Sequence, residues 1–259
     1  MKEFFGFGVY EREPEGYMSW QHLLFVSSLI IIMIILAVVL GIKNKNKAYE
    51  KKNKVLIVSA ILIDSIELFK IVLFCIRSNN PFDWIYNLPL FLCSIQLITI
   101  PLAAFSKGKI KEASLDFVFL FGILGAILGT YGAGNNYAAY PVLSVDNVVS
   151  GITHCISGFA SLYIVFSGMQ SMKKENIKLT FAILVCFCIM AYISNVFLKT
   201  NYMFLMTSDG TPYDLLYNLF NGNKILYPLS VVLLFFVYIV LFYYIYYFII
   251  NKKEKSGSK

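Results

Sequence analysis

The chain of 259 residues holds five cysteines and only two histidines, so any thiol–imidazole chemistry has few possible members. A cysteine becomes an efficient nucleophile as its thiolate, and an adjacent imidazole can accept the proton. A carboxylate can orient that imidazole or stabilise its charged form. Cys93, His154 and Glu67 are of the right types for these three roles. The other cysteines, Cys75, Cys155, Cys186 and Cys188, show no CxxC spacing, so neither a disulfide framework nor a zinc site is expected. Two histidines, Cys93 and two carboxylates could make a ligand set, but no pair has ligand spacing such as His-x3-His. No metal and no cofactor is expected. There is no nucleophile-elbow serine and no phosphate-binding glycine loop.

The elements that must position these groups follow from hydropathy. The chain is 58% hydrophobic and 14% charged, with mean hydropathy +0.70; soluble domains average about 25% charged. Seven apolar segments, at about 20–42, 55–76, 84–105, 114–131, 148–169, 179–198 and 225–250, are long enough to cross a bilayer core of about 30 Å. In lipid each backbone group must be paired within its own segment, so these segments are helices. The expectation is an all-α, polytopic, seven-transmembrane-helix bundle, forming one domain over 1–259 without internal repeats.

Lysines cluster at 43–54, 107–111, 173–178 and 252–259, which together hold 16 of the 22 basic residues. Basic loops stay in the cytoplasm, so the N-terminus is expected outside and the C-terminus inside. The net charge of +7 then reflects topology and contact with anionic headgroups, and no nucleic acid is expected as a partner. Membrane lipids are. The N-terminal tail, with Glu3, Glu11, Glu13 and Glu15, lacks the basic start and cleavage site of a signal peptide. The Lys/Asn/Ile-rich, arginine-poor usage suits an AT-rich, bacterial genome, and the expected place is the cell membrane. Oligomeric state is left open.

Depth can be counted at about 1.5 Å per residue. Glu67 lies nine residues from the outer end of its segment and Cys93 nine from the outer end of the next, each about 13 Å deep. His154 lies six residues in, about 9 Å. His22 and Asn195 sit nearer the outer ends of their helices. Charges in a bilayer usually face the bundle interior, and Lys70 can pair with Glu67 one turn away. Gly122, Gly125 and Gly129 suggest close helix packing. In the longest outer loop, Thr211-Pro212-Tyr213-Asp214 reads as a helix start, with Thr211 as N-cap and Pro212 at the first position. From the residues alone, a packing network, a small-ligand pocket and a catalytic site all stand.

A resemblance adds to this. Leu88-Pro89-Leu90-Phe91-Leu92-Cys93 looks like the LPLHLC signature of the YwaF-type bacterial integral membrane family. Thr200-Asn201-Tyr202-Met203-Phe204-Leu205 resembles its second signature, and Gln21-His22-Leu23, Glu67 and Thr153-His154 are supporting matches. That family is similar to the eukaryotic transmembrane protein 164 family, regarded as cysteine-dependent lipid acyltransferases. The resemblance implies acyl transfer or hydrolysis on lipids near the outer leaflet, with Cys93 as nucleophile and His154 as base. Glu67 would tune His154, while His22, Asn195, Asn201 and Tyr202 would help bind substrate, Asn195 or Asn201 at the oxyanion. The signature histidine is Phe91 here. On a helix it would point about 200° around from Cys93, and its loss counts against activity if that histidine takes part in chemistry. The alternative function is a transporter or small-ligand-binding membrane protein without catalysis.

Overall fold

Trp20–Asn44 forms α1 and Tyr49–Ser78 forms α2. Ser19 starts α1, its hydroxyl accepting the His22 N–H at 3.2 Å, while α2 ends on Asn79 in the left-handed conformation at φ 52°. There follow α3 (Gln96–Phe105), α4 (Gly108–Thr130), the short α5 (Gly134–Ala139) and α6 (Val145–Phe166). The structure, a computed structural model, describes residues 2, 4–8, 10–170 and 172–257, with side chains up to residue 251. Glu3, the C-terminal Lys259 and the lysine side chains from Lys252 onward lie outside the described residues. All described secondary structure is helix and turn. The chain divides into two compact units, Met1–Gln170 and Ser171–Lys259.

In the first unit, α6 is the central helix, packed against α4 most extensively and also against α1, α2 and α3. Small residues make this possible. A Cβ added to Gly122 would lie 2.6 Å from the Ser157 carbonyl oxygen, and one on Gly158 would lie 2.6 Å from the Ala126 Cβ. Buried Leu56, Ile63, Ile100, Leu115, Val118 and Tyr163 fill the core beside them.

The third expected helix, 84–105, is corrected. A 3-10 turn at Asp83–Asn87 is followed by irregular backbone, and regular α-helix begins only at Gln96. Pro89 is the physical reason: it donates no hydrogen bond and holds the preceding residue extended, and Leu88 sits at φ −61°, ψ 146°. Such backbone is tolerated at membrane depth only where protein buries it or a cavity adjoins it. Cys93 lies in this break.

The N-terminal segment, expected to be a tail, is docked onto the first unit. The Val145 N–H donates to the Phe4 carbonyl at 2.9 Å, and the Val142 N–H to Glu15 at 2.8 Å. Arg77 grips Asp146 through two bonds of 2.7 and 3.1 Å, and the Tyr10 hydroxyl donates to the same carboxylate.

The second unit holds a 3-10 turn at Lys174–Asn176, α7 (Ile177–Leu198), a 3-10 turn at Tyr202–Phe204, α8 (Asp214–Leu219) and α9 (Leu226–Gly257). The expected start of α8 at Thr211 is corrected to Asp214. Thr211 instead turns its hydroxyl to the Ser208 carbonyl at 2.6 Å, and Asp214 accepts from the Ser208 hydroxyl.

Among the described residues, five helical stretches are long and apolar enough to cross a membrane: Trp20–Asn44, Gly108–Ala139, Val145–Phe166, Lys174–Leu198 and Leu226–Asn251. The 30-residue α2 is long enough but carries Asp64, Glu67 and Lys70 in its middle. The 10-residue α3 is too short to span alone. On α1, Ile32, Ile35 and Leu36 face outward, a surface suited to lipid.

Candidate functional site

Four elements of the first unit meet around one small polar cavity. Glu67 and Lys70 come from α2, Cys93 and Ser94 from the break before α3, Leu97 from α3 itself, and Ser150, Thr153, His154 and Ser157 from α6. The α6 members recur every three to four residues, so they share one face of that helix. The volume is about 50 Å³, room for a few waters or an ester group rather than an acyl chain.

The Cys93 thiol shares the cavity wall with the His154 imidazole and with Ser94, its neighbour in the chain. His154 is oriented from its own helix. Its Nδ1 lies 2.7 Å from the Ser150 carbonyl oxygen, which can only accept, so Nδ1 carries the proton. In the neutral ring Nε2 is then the lone-pair nitrogen available to a thiol. The usual orienting carboxylate is replaced here by a main-chain carbonyl. Glu67, expected in that role, instead forms an ion pair with Lys70. Lys70 lines the same cavity as Cys93 and His154.

The fourth helix supplies the space. A Cβ on Gly129 would fall 1.9 Å from His154 Cδ2 and 2.1 Å from Nε2, whereas one on Gly125 would meet Cys93 Cβ at an ordinary 3.6 Å. The imidazole therefore lies flat on the helix backbone at Gly129. Phe91 is not among the residues lining the cavity. Because 88–95 is not α-helical, the helical estimate of its direction does not apply.

The remaining candidates have other surroundings. His22 is fully buried; its Nδ1 accepts the Met18 N–H at 3.1 Å, and its Nε2 donates to the Thr130 carbonyl at 3.2 Å. The ring packs 3.9 Å from that of Tyr137. Asn195, Asn201 and Tyr202 belong to the second unit. The Asn195 amide donates to the Tyr202 carbonyl at 3.0 Å and accepts the Tyr202 N–H at 2.6 Å. Asn201 closes the following loop through Thr207, Asp209 and the Met206 N–H. Tyr202 is 1% exposed. These amides are engaged in holding their own loop, where Met203 and Phe204 take positive φ of 54° and 55°. For residues without glycine's freedom that backbone is costly, and the Asn195 bonds hold it in place.

Sequence reasoning passed over Ser150, Ser94 and the cavity-facing position of Lys70. Ser150 was findable, lying four residues before His154 and so directly beneath it on a helix. Ser94 carries no such signal, because the break around it has no fixed periodicity.

Comparison with known proteins gives a family and nothing narrower. No curated protein and no solved structure matches the chain significantly. The TMEM164 family model matches residues 17–246, a range that takes in α1 through most of α9 and every residue of the cavity. The chain is a membrane protein belonging to the TMEM164 family.

Proposed function

We propose that this protein is an intramembrane cysteine acyltransferase or acyl hydrolase acting on lipid esters. The observation that carries the reading is the Cys93–His154 pair in one cavity, with His154 Nδ1 committed to Ser150 and Nε2 left for the thiol. His154 takes the Cys93 proton, and the thiolate attacks the ester carbonyl carbon. The tetrahedral oxyanion collapses, the carbon–oxygen bond to the lipid alcohol breaks, and His154 returns the proton to the departing oxygen. An acyl thioester remains on Cys93. A second lipid hydroxyl, or water, then gives up its proton to His154 and displaces the thiolate.

Lys70 is the cation best placed to offset charge developing on the ester oxygen. Glu67 holds Lys70 in the cavity. Asn195 and Asn201, whose amides serve their own loop, are weaker candidates for that task.

Seven crossings remain the topology we favour, with α2 and the broken 84–105 segment completing the five apolar stretches. Both polar interruptions then adjoin the cavity, where they are tolerated. The lysine clusters between helices support an outside N-terminus in a bacterial cell membrane, with the cavity toward the outer leaflet.

The test is intact-protein mass spectrometry after incubation with phospholipid vesicles. An acyl mass adduct on the wild type, absent in Cys93→Ala and strongly reduced in His154→Ala, is the expected result. Equal labelling of wild type and Cys93→Ala would overturn the assignment and leave a ligand-binding or transport role for the cavity.

A further inference from the structure

Two of the helices that line the polar cavity, α2 and α6, present a second, opposite character on adjoining faces. On α6 the polar residues Ser150, His154 and Ser157 face the cavity, while Ile156 and Phe159 face an apolar groove of about 510 Å³. The groove's other walls include Leu36 and Leu40 of α1 and Val55 and Val58 of α2. Its volume falls within the roughly 300–1,000 Å³ of ordinary small-molecule sites.

One cation lines this groove. Lys54 stands at the α2 start, is exposed, and has no acidic partner among the described residues. It closes the run of six lysines between residues 43 and 54. Lys111, nearby in the same unit, is committed to Asn53 and the Ala104 carbonyl.

We infer that this groove is a binding site for one anionic phospholipid, its acyl chain lying between α1, α2 and α6 and its phosphate held by Lys54. The geometry is that of an amphiphile: apolar walls along the shaft and an unpaired positive charge at one end only. Apolar walls alone would take any lipid chain. The lysine makes the site selective for an anionic headgroup, since a basic residue near an anionic lipid contributes measurably to binding. This site is separate from the Cys93 cavity, so it would bind lipid whether or not acyl transfer occurs.

The experiment is native mass spectrometry of the full chain in mild detergent, with phosphatidylglycerol and phosphatidylcholine added in equal amounts. The expected result is one retained phosphatidylglycerol per chain in preference to phosphatidylcholine. Lys54→Ala should lower that preference about fivefold, the worth of one basic side chain at an anionic surface. Because Lys54 is exposed, this variant leaves the core untouched. Val58→Trp, which fills the groove, should remove retention of both lipids. Equal retention of the two lipids, or a preference unchanged in Lys54→Ala, would overturn the proposal. A dimer mass that Val58→Trp dissociates would also overturn it, by assigning the groove to a second copy of the chain. No outcome depends on a Cys93 adduct, so failure here is distinguishable from failure of the acyl-transfer reading.

Discussion

Gly129 and His154 touch so closely that the imidazole ring occupies the place where a side chain would begin: an added Cβ would lie 1.9 Å from Cδ2 and 2.1 Å from Nε2. Gly129→Ala must therefore push the ring off its bond to Ser150, away from Cys93, or force α4 outward. We expect acyl transfer to fall about 100-fold or more, the lower range for losing a positioned base. Overpacking costs about 1–3 kcal/mol, partly offset by about 0.5–1 kcal/mol of helix propensity, so most of the protein should stay folded. Gly125→Ala is the control, with its Cβ at van der Waals distance from Cys93. Adduct formation measured in both variants decides the matter, and equal activity would remove the proposed role of His154.

The Glu67–Lys70 pair predicts a double-mutant pattern. Side-chain exposures of 11% and 20% mean that removing one charge leaves the other poorly solvated. Glu67→Gln should lower stability by on the order of 2 kcal/mol, and Lys70→Met added to it should restore part of that loss. Activity should separate from stability. Every variant lacking Lys70 should lose about 100-fold in acyl-transfer rate if the ammonium stabilises the oxyanion. Restored stability together with full activity in the double variant would make the pair purely structural.

The sequence made the helical class legible because long apolar runs leave the backbone no other solution in lipid. Depth counting gave Glu67, Cys93 and His154 neighbouring levels, but for Cys93 it assumed a helix over 84–105 where the backbone is irregular; the three share one cavity all the same. What it could not supply was azimuth. Nothing in the spacing of Gly129 says which residue on another helix lies against it, whereas the Glu67–Lys70 pair, one turn apart on a single helix, was legible. Pro89 was readable as a helix breaker, yet the apolar run through it favoured an unbroken helix. The docking of the N-terminal segment was hidden because its contacts, such as Tyr10 with Asp146, are separated by more than half the chain.

Asn195 predicts a loss of stability without a loss of chemistry. It is 2% exposed, and both ends of its amide bind the Tyr202 backbone, with Thr200 adding a third bond of 2.9 Å. Asn195→Ala leaves a buried N–H and carbonyl unpaired, at about 1–3 kcal/mol each. Thermal unfolding of the purified protein should shift down by several degrees, at about 2–4 °C per kcal/mol for a chain of this size. Acyl transfer per folded molecule should stay near wild type. A lost adduct at unchanged Tm would instead return Asn195 to substrate binding.

The N-terminal latch predicts a pH dependence at the alkaline end. Burial, then the bond to Asp146, pushes the Tyr10 phenol up to about 12 from its ordinary 10. A group whose folded pKa is raised stabilises the docked form fully below its unfolded value, and that contribution is lost as pH rises through the folded one. Docking of the segment through Tyr10 should therefore hold to about pH 10 and weaken between about 10 and 12. Limited proteolysis at residues 4–15, or alkaline difference absorbance of the phenolate, reads the transition directly. Tyr10→Phe should abolish this alkaline step while the Arg77–Asp146 bonds keep the segment partly docked. Arg77→Met should expose it at every pH, because Asp146 is left buried without its cation. An alkaline step of the same size in Tyr10→Phe would assign the titration to another group and sever the latch from Tyr10.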